Sequence, residues 1–230
     1  MTEKINEILL VVHPGHHIIS FFWERIAVFA NKNYRKGRQI VIDERVLKEE
    51  RAFLKKQFLE YGKFLLDSKK ANRAVIIVNT TELIDSVSRY EPHFAEKTKK
   101  EFNFLKTQLK RFNKFAQDTL GKNFIQVSKD VVFLNNSKKF FELKERLAKK
   151  LTIFPVGEYE FGCVQWNANR LNELLSEFGC NANIAKPIHT IEYNQVVEKA
   201  WQRREKQKTK KRIKRKKPIK RKMSAGIRKL

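Results

Sequence analysis

The densest chemistry in this 230-residue chain lies just after its first apolar run. His13-Pro14-Gly15-His16-His17 sets three imidazoles within five residues, and imidazole is both a common metal ligand and an acid–base group near neutrality. Such a turn could bind zinc or polarise a phosphate. No H-E-x-x-H and no second Cys/His cluster stands near it, and His93 and His189 are isolated. The plainer alternative is a Pro-Gly turn that starts a helix, with one His at the cap and another on the surface, so neither a metal nor a cofactor is assigned. Two further places carry chemistry. Gly157–Val164 reads GEYEFGCV, which puts Cys163 at the start of a helix whose N-terminus would stabilise a thiolate. Glu158 and Glu160 alternate on that same turn, and Asp43-Glu44 form a second pair. Paired carboxylates at strand ends can hold Mg²⁺ or divide acid and base work between them. In a chain this basic, loop acids also serve simply to balance neighbouring Lys and Arg, and a Cys at a helix start can be a small packing residue. No G-x-G-x-x-G and no G-x-x-x-x-G-K-[ST] occurs, which argues against ordinary dinucleotide and P-loop sites.

The elements that must position these groups follow from the apolar pattern. Ile8–Val12 is a buried strand closed by His13-Pro14-Gly15. A helix over 18–31 follows, then a short strand at Ile40-Val41-Ile42 and a helix over 46–66. Ala74–Val78 is the next strand, ended by Asn79-Thr80-Thr81, with Thr81 placed to cap a short helix over 82–88. Phe94, Phe102, Leu105, Leu109, Phe112 and Phe115 then recur at three- and four-residue steps, a long helix that Gly121 stops. Its length and Phe content suggest an insertion or a dimer arm. Short strands at 124–127 and 131–134, a helix over 137–150, a strand at Leu151–Val156, a helix over 165–178 and a strand at Ala182–Ala185 complete the pattern. Repeated strand–helix–strand alternation predicts an α/β fold, a Rossmann-like three-layer sandwich with a mostly parallel sheet. Ligands of such sheets sit outside the carboxyl ends of the strands. The residues there are the His13–His17 turn, Asp43-Glu44, Asn79–Thr81 and Gly157, Glu158 and Glu160.

Two resemblances bear on the site. Gly157–Val164, after a strand and opening a helix, is similar to the G-x-x-T-D-x-C-V turn of isochorismatase-like cysteine hydrolases. The likeness spans about residues 138–185. It implies Cys163 as nucleophile, Lys138 or Lys139 as the electrostatic stabiliser, and His13 or Glu158 as the proton-handling group, since His13 stands where that family places an Asp and Glu160-Phe161 stand for its T-D. Separately, His13-x-Gly15-His16 resembles the H-x-G-H signature of nucleotidyltransferases and class I aminoacyl-tRNA synthetases. Lys222-Met223-Ser224 resembles their second signature, which implies ATP phosphates at the start of the first helix.

Charge decides which class is favoured. The chain carries 50 Lys and Arg against 25 Asp and Glu, a formal net charge of +25. From Lys199 to Leu230 there are 17 bases and one acid, Glu205, a net of +16, while the first 198 residues hold +9. Within 209–223 only Ile213, Ile219 and Met223 are apolar, and Pro218 interrupts any helix. The expectation is therefore two parts: an α/β domain over 1–198 and a disordered basic tail over 199–230. The tail's Arg203, Arg204, Lys210, Lys211, Arg212, Lys214, Arg215, Lys216, Lys217, Lys220, Arg221 and Lys222 would bind nucleic acid, RNA in preference to DNA, by releasing counterions from phosphates. No aromatic residue follows Trp201, so the tail offers phosphate contacts without base stacking or a base code. Two cysteines make no disulfide framework, which with the lack of a signal segment fits an intracellular, cytoplasmic setting. No window of 18 apolar residues exists, so no membrane partner is expected. Self-association and catalysis both stay open. The tail could also be a localisation address or a solubilising appendage, but a binding protein is favoured because the tail needs explaining under any reading, whereas each catalytic motif lacks a partner group; the alternatives are a divergent cysteine hydrolase and an ATP-binding nucleotidyltransferase-like protein.

Overall fold

Five short strands, most of them built on apolar runs, assemble side by side in a computed structural model that describes residues 4–30, 39–128, 130–158 and 160–189. The strands β1 (Ile5–Val12), β2 (Ala74–Val78), β3 (Phe124–Val127), β4 (Leu147–Gly157) and β5 (Asn181–Ile184) pair in the order β3-β2-β1-β4-β5. Every pairing is parallel, with Leu10 opposite Ile76 on one side and Pro155 on the other. A two-residue β6 (Ile188–His189) adds to the far end of β4, beyond the reach of β5. Helices cover both faces, as β-strands with both sides apolar require. β2 is buried at all five positions.

The helices are α1 (His16–Ala30), α2 (Glu44–Lys70), α3 (Thr81–Ser88), α4 (Glu96–Leu120), α5 (Lys138–Lys144) and α6 (Gln165–Glu177). One face of the sheet (Ile8, Leu10, Ile76, Ile125, Ile153) packs on α5 and α6 through Phe140, Leu143, Ala168 and Leu171. The other (Leu9, Val11, Val75, Ile77) packs on the later halves of α2 and α4 through Tyr61, Leu65, Phe112 and Ala116. The result is a three-layer α/β sandwich.

A third core lies off the sheet altogether. The 27 residues of α2 and 25 of α4 make rods about 40 Å long, whereas five-residue β2 spans about 17 Å. Their first halves overshoot the sheet, and there Leu47, Leu54, Phe102 and Leu105 meet Ile19, Phe22 and Ile26 of α1 and Val87 of α3. The Phe-rich α4 is thus not a free arm: Phe102 is fully buried, with the Phe22 and Phe94 rings 5.2 and 5.6 Å from its own.

Three expectations change. Ile40-Val41-Ile42 is no strand of the sheet; Ile40 makes a single bridge to Phe94, and Ile40 and Ile42 turn into the helical core while Val41 is exposed. Val131–Leu134 is wound into a 3-10 helix, Val131–Asn136, because the Asp130 carboxylate accepts the Val132 N–H at 2.9 Å and buries residues three apart, Val131 and Leu134. The helix expected over 137–150 ends at Lys144, and β4 begins already at Leu147. The described residues all belong to one compact unit. The expected boundary at 198/199 and the basic tail lie outside the described residues.

Candidate functional site at the carboxyl ends of the strands

Crossovers from β1 through β3 run over the α2/α4 face, and those from β3 through β5 run over the α5/α6 face, so the strand order reverses between β1 and β4. Ligands of open parallel sheets bind at that crevice. Here its two walls are the turn after β1 and the end of β4.

The turn is tight. His13 adopts a left-handed backbone, φ +49°, uncommon for a residue with a side chain. It is held by its N–H donating to Val78 O at 2.7 Å, while its own carbonyl accepts from His16 N at 3.1 Å. Gly15 follows at φ +79°, and a Cβ there would lie 3.4 Å from Leu109 Cδ2, so the turn demands glycine. At the other wall, β4 closes on Gly157 with no room for a side chain. A Cβ would overlap Val164 Cγ2 and sit 3.1 Å from the Val12 carbonyl.

Those two glycines let Glu158 reach the N-terminus of α1. Its carboxyl is buried, and Oε2 accepts the backbone N–H of His17. The Gly15 N–H and the Gln57 amide also approach the group, while Oε1 has no hydrogen-bond partner of its own. Burial outweighs these donors and pushes the carboxyl up to about 7. The amides that would cradle a phosphate at a helix start are thus taken by the chain's own carboxylate.

The imidazoles divide by environment. His16 is pulled down to about 4 by burial, then by the neighbouring His13 and His17, so it is neutral at physiological pH. Its ring stacks on His13, centroids 5.6 Å apart and planes 21° from parallel. His17 turns away, with Nε2 3.3 Å from Glu50 and its ring edge against Phe53 at 5.3 Å. Burial alone would lower it, but the hydrogen bond to Glu50 and the charges of Glu50, Glu158 and Glu24 win, and it titrates above its ordinary value.

On the far side of the His13–His16 stack opens a pocket of about 290 Å³. Asn79 and Thr80 after β2 and Ser128 after β3 form its floor, and Glu82, Leu83 and Ser86 of α3 form its wall. Asn79 and Thr80 are buried; Thr80 Oγ1 donates to Pro14 O at 3.4 Å, and Asn79 Nδ2 has no acceptor.

Of the residues singled out from the sequence, the fold gathers His13, His16, Asn79 and Thr80 around this pocket and brings Glu158 to the same turn. It does not add the others. Lys139, on α5, donates to Gln117 at 3.4 Å, near the C-terminus of α4 and so toward the opposite edge of the sheet. Cys163 lies in a single π-helical turn, Glu160–Val164, half-buried against the α6-side core. The helix end was expected to lower this thiol; instead burial raises it. Asp43 is not at a strand end but caps α2, accepting the Arg45 N–H at 2.8 Å, and Glu44 pairs with Lys97 at 2.5 Å. The Glu160 side chain and the twelve tail cations lie outside the described residues. Ser128, Ser86, Gln57 and Glu50 were not foreseen. The helix residues carry no local signal, and only the position of Ser128 just after a strand could have marked it. Among the described residues no group of three or more His, Cys, Asp or Glu is placed to hold a metal ion, and no helix is long and apolar enough to cross a membrane.

The environment of Cys163 has a checkable outcome. At pH 7 the native thiol will react with iodoacetamide more slowly than the same thiol in the urea-unfolded chain, followed by mass spectrometry of the 163 peptide. Faster reaction in the native protein would show an activated thiolate.

No family model, no curated protein and no solved structure matches the chain.

Proposed function

We propose that this is a nucleic-acid-associated binding protein, RNA preferred over DNA, that grips phosphates non-specifically through the basic segment 199–230. The observation that carries this is the net charge of +16 on 32 residues containing a single acid, Glu205. Such a segment attracts any polyphosphate backbone and releases its counterions. The geometry of the α/β domain favours binding over the two catalytic readings. A cysteine hydrolase needs a thiolate with a lysine beside it, and here the Cys163 thiol is raised by burial while Lys139 pairs with Gln117. An ATP site at the H-x-G-H turn needs the α1 amides, and Glu158 accepts the one from His17.

The test is fluorescence anisotropy with labelled single-stranded RNA and with DNA over a salt series, comparing the full chain with a chain ending at Ala200. Loss of binding on truncation supports the reading. Equal binding by both chains places the phosphate contacts elsewhere, and no binding by either removes polyanions as the partner.

A further inference from the structure

The pocket beside the His13–His16 stack contains features that phosphate binding by a basic segment does not use. We infer that it takes an uncharged nucleobase, held as a nucleoside or as an unpaired base of the bound nucleic acid. This deepens the nucleic-acid reading and rests on it for the source of the base. The pocket chemistry points to this class from three sides.

The first is charge. Among the described residues no Lys or Arg lines the pocket, and Glu82 does. His16 stays neutral through the physiological range. Among the described lining residues a phosphate or carboxylate would meet an acid and no fixed cation, which favours a neutral or weakly basic group. The second is shape. The imidazoles of His13 and His16, stacked within 21° of parallel, line the cavity together with Leu83 of α3. Bases splayed from single strands stack on such rings, histidine included. The third is hydrogen bonding. Asn79 is 4% exposed and its Nδ2 has no acceptor. A buried donor left unmet costs about 1–3 kcal/mol, a cost a ligand acceptor removes. The Ser86 hydroxyl donates to Glu82 O at 2.9 Å, leaving its lone pairs to accept. Ser128 contributes a second hydroxyl at the floor. A flat, neutral ring with both donors and acceptors on its edge is what these groups would recognise, and the Asn amide is a group that reads such edges. A volume of about 290 Å³ admits a base with its ribose.

The experiment uses the full chain and adenosine, guanosine, cytidine and uridine separately. None of them carries a phosphate, so the result is independent of the basic segment. Carbon-13 correlation spectra of the imidazoles follow His13 and His16 during titration to several millimolar. The expected result is a saturable shift of both rings by at least one nucleoside. Asn79→Ala should weaken that binding tenfold or more while leaving the unfolding midpoint unchanged or raised, because the amide it removes has no partner in the free protein. Leu83→Trp, which fills the cavity from its rim, should abolish the shift. If no nucleoside moves either ring, or if both variants bind as the parent does, the inference is overturned. Failure here with salt-dependent RNA binding intact would leave the phosphate reading standing, and the reverse pattern would leave the pocket standing.

Discussion

A chain ending at Ala200 will lose most of its affinity for single-stranded RNA and keep only a weak, shallow salt dependence, while the affinity of the full chain falls about 100-fold when salt is doubled. The magnitude follows from counterion release. The truncation removes all but Lys199 of the 17 bases in 199–230. With about ten of them on phosphates, the slope of log affinity against log salt is about −7 on a single strand, and doubling the salt then costs about two decades. The α/β portion, at +9 over 198 residues, has its charge diluted by 24 acids. Many of its cations are already engaged, as Arg73 is with Glu7, Lys106 with Glu91 and Arg51 with Glu101. Its residual slope should be small. Exchanging the twelve tail residues for glutamine should reproduce the truncation, since the contacts are electrostatic and carry no base code. A full-length slope as shallow as that of the truncated chain would mean that the segment does not bind.

The second large effect is a stability that depends on one buried carboxyl. Glu158 titrates near 7 in the native protein against 4.5 when unfolded. Between those values the folded chain holds a proton that the unfolded chain has lost, so stability falls as pH rises from about 4.5 to about 7. Each unit of difference is 1.36 kcal/mol, which makes the loss about 3 kcal/mol by pH 8. Glu158→Gln keeps the shape and cannot ionise. The two histidines titrate in both proteins: His17, raised, adds stability that fades with rising pH, and His16, lowered to about 4, removes stability as pH falls below 6.5. His16 cancels in the difference between parent and variant; His17 keeps its larger contributions from Glu50 in both, and only the lesser share that comes from the Glu158 charge does not cancel. That difference should therefore move by about 3 kcal/mol in favour of the glutamine protein from pH 5 to pH 8, read from urea midpoints. Parallel curves would show that the α1 amides stabilise the ionised carboxylate fully and that the group has an ordinary affinity for protons.

Much of this architecture can be read along the chain because its strands are unmixed. Ile8–Val12 and Ala74–Val78 are wholly apolar, and only a sheet covered on both sides buries such runs. The helix stop at Gly121 and the turn at Gly179 both coincide with positive φ. The misreadings share a cause. Ile40-Val41-Ile42 is β-branched, as strands are, but the neighbour that captures it is Phe94 in a helical core. Val131–Leu134 shows the same ambiguity of a short apolar run, settled by the Asp130 cap. At the site, strand ends mark His13, Asn79 and Glu158, since chain order alone places them at the carboxyl edge. The helix residues that meet the site, Gln57 at Glu158 and Glu50 at His17, are hidden because both lie within α2, about 100 residues from Glu158, and nothing in the pattern of that helix distinguishes them from its many polar neighbours.

The overshoot of α2 and α4 beyond the sheet has a kinetic side. Each helix is one continuous rod shared by two cores, yet the outer core contains no strand and is closed by α1 and α3, which pack on the rods and on each other. Opening it requires that those two helices lift, which parts His17 from Glu158 and Glu50, and that the leading turns of the rods fray, with every strand ladder intact. Native-state amide exchange should therefore separate into two tiers. Amides of β1, β2 and the trailing turns of α2 and α4 should open only with the whole molecule. Those of α1, α3 and the leading turns should open sooner and together. A single tier across both would show that the rods bind the two cores into one cooperative unit.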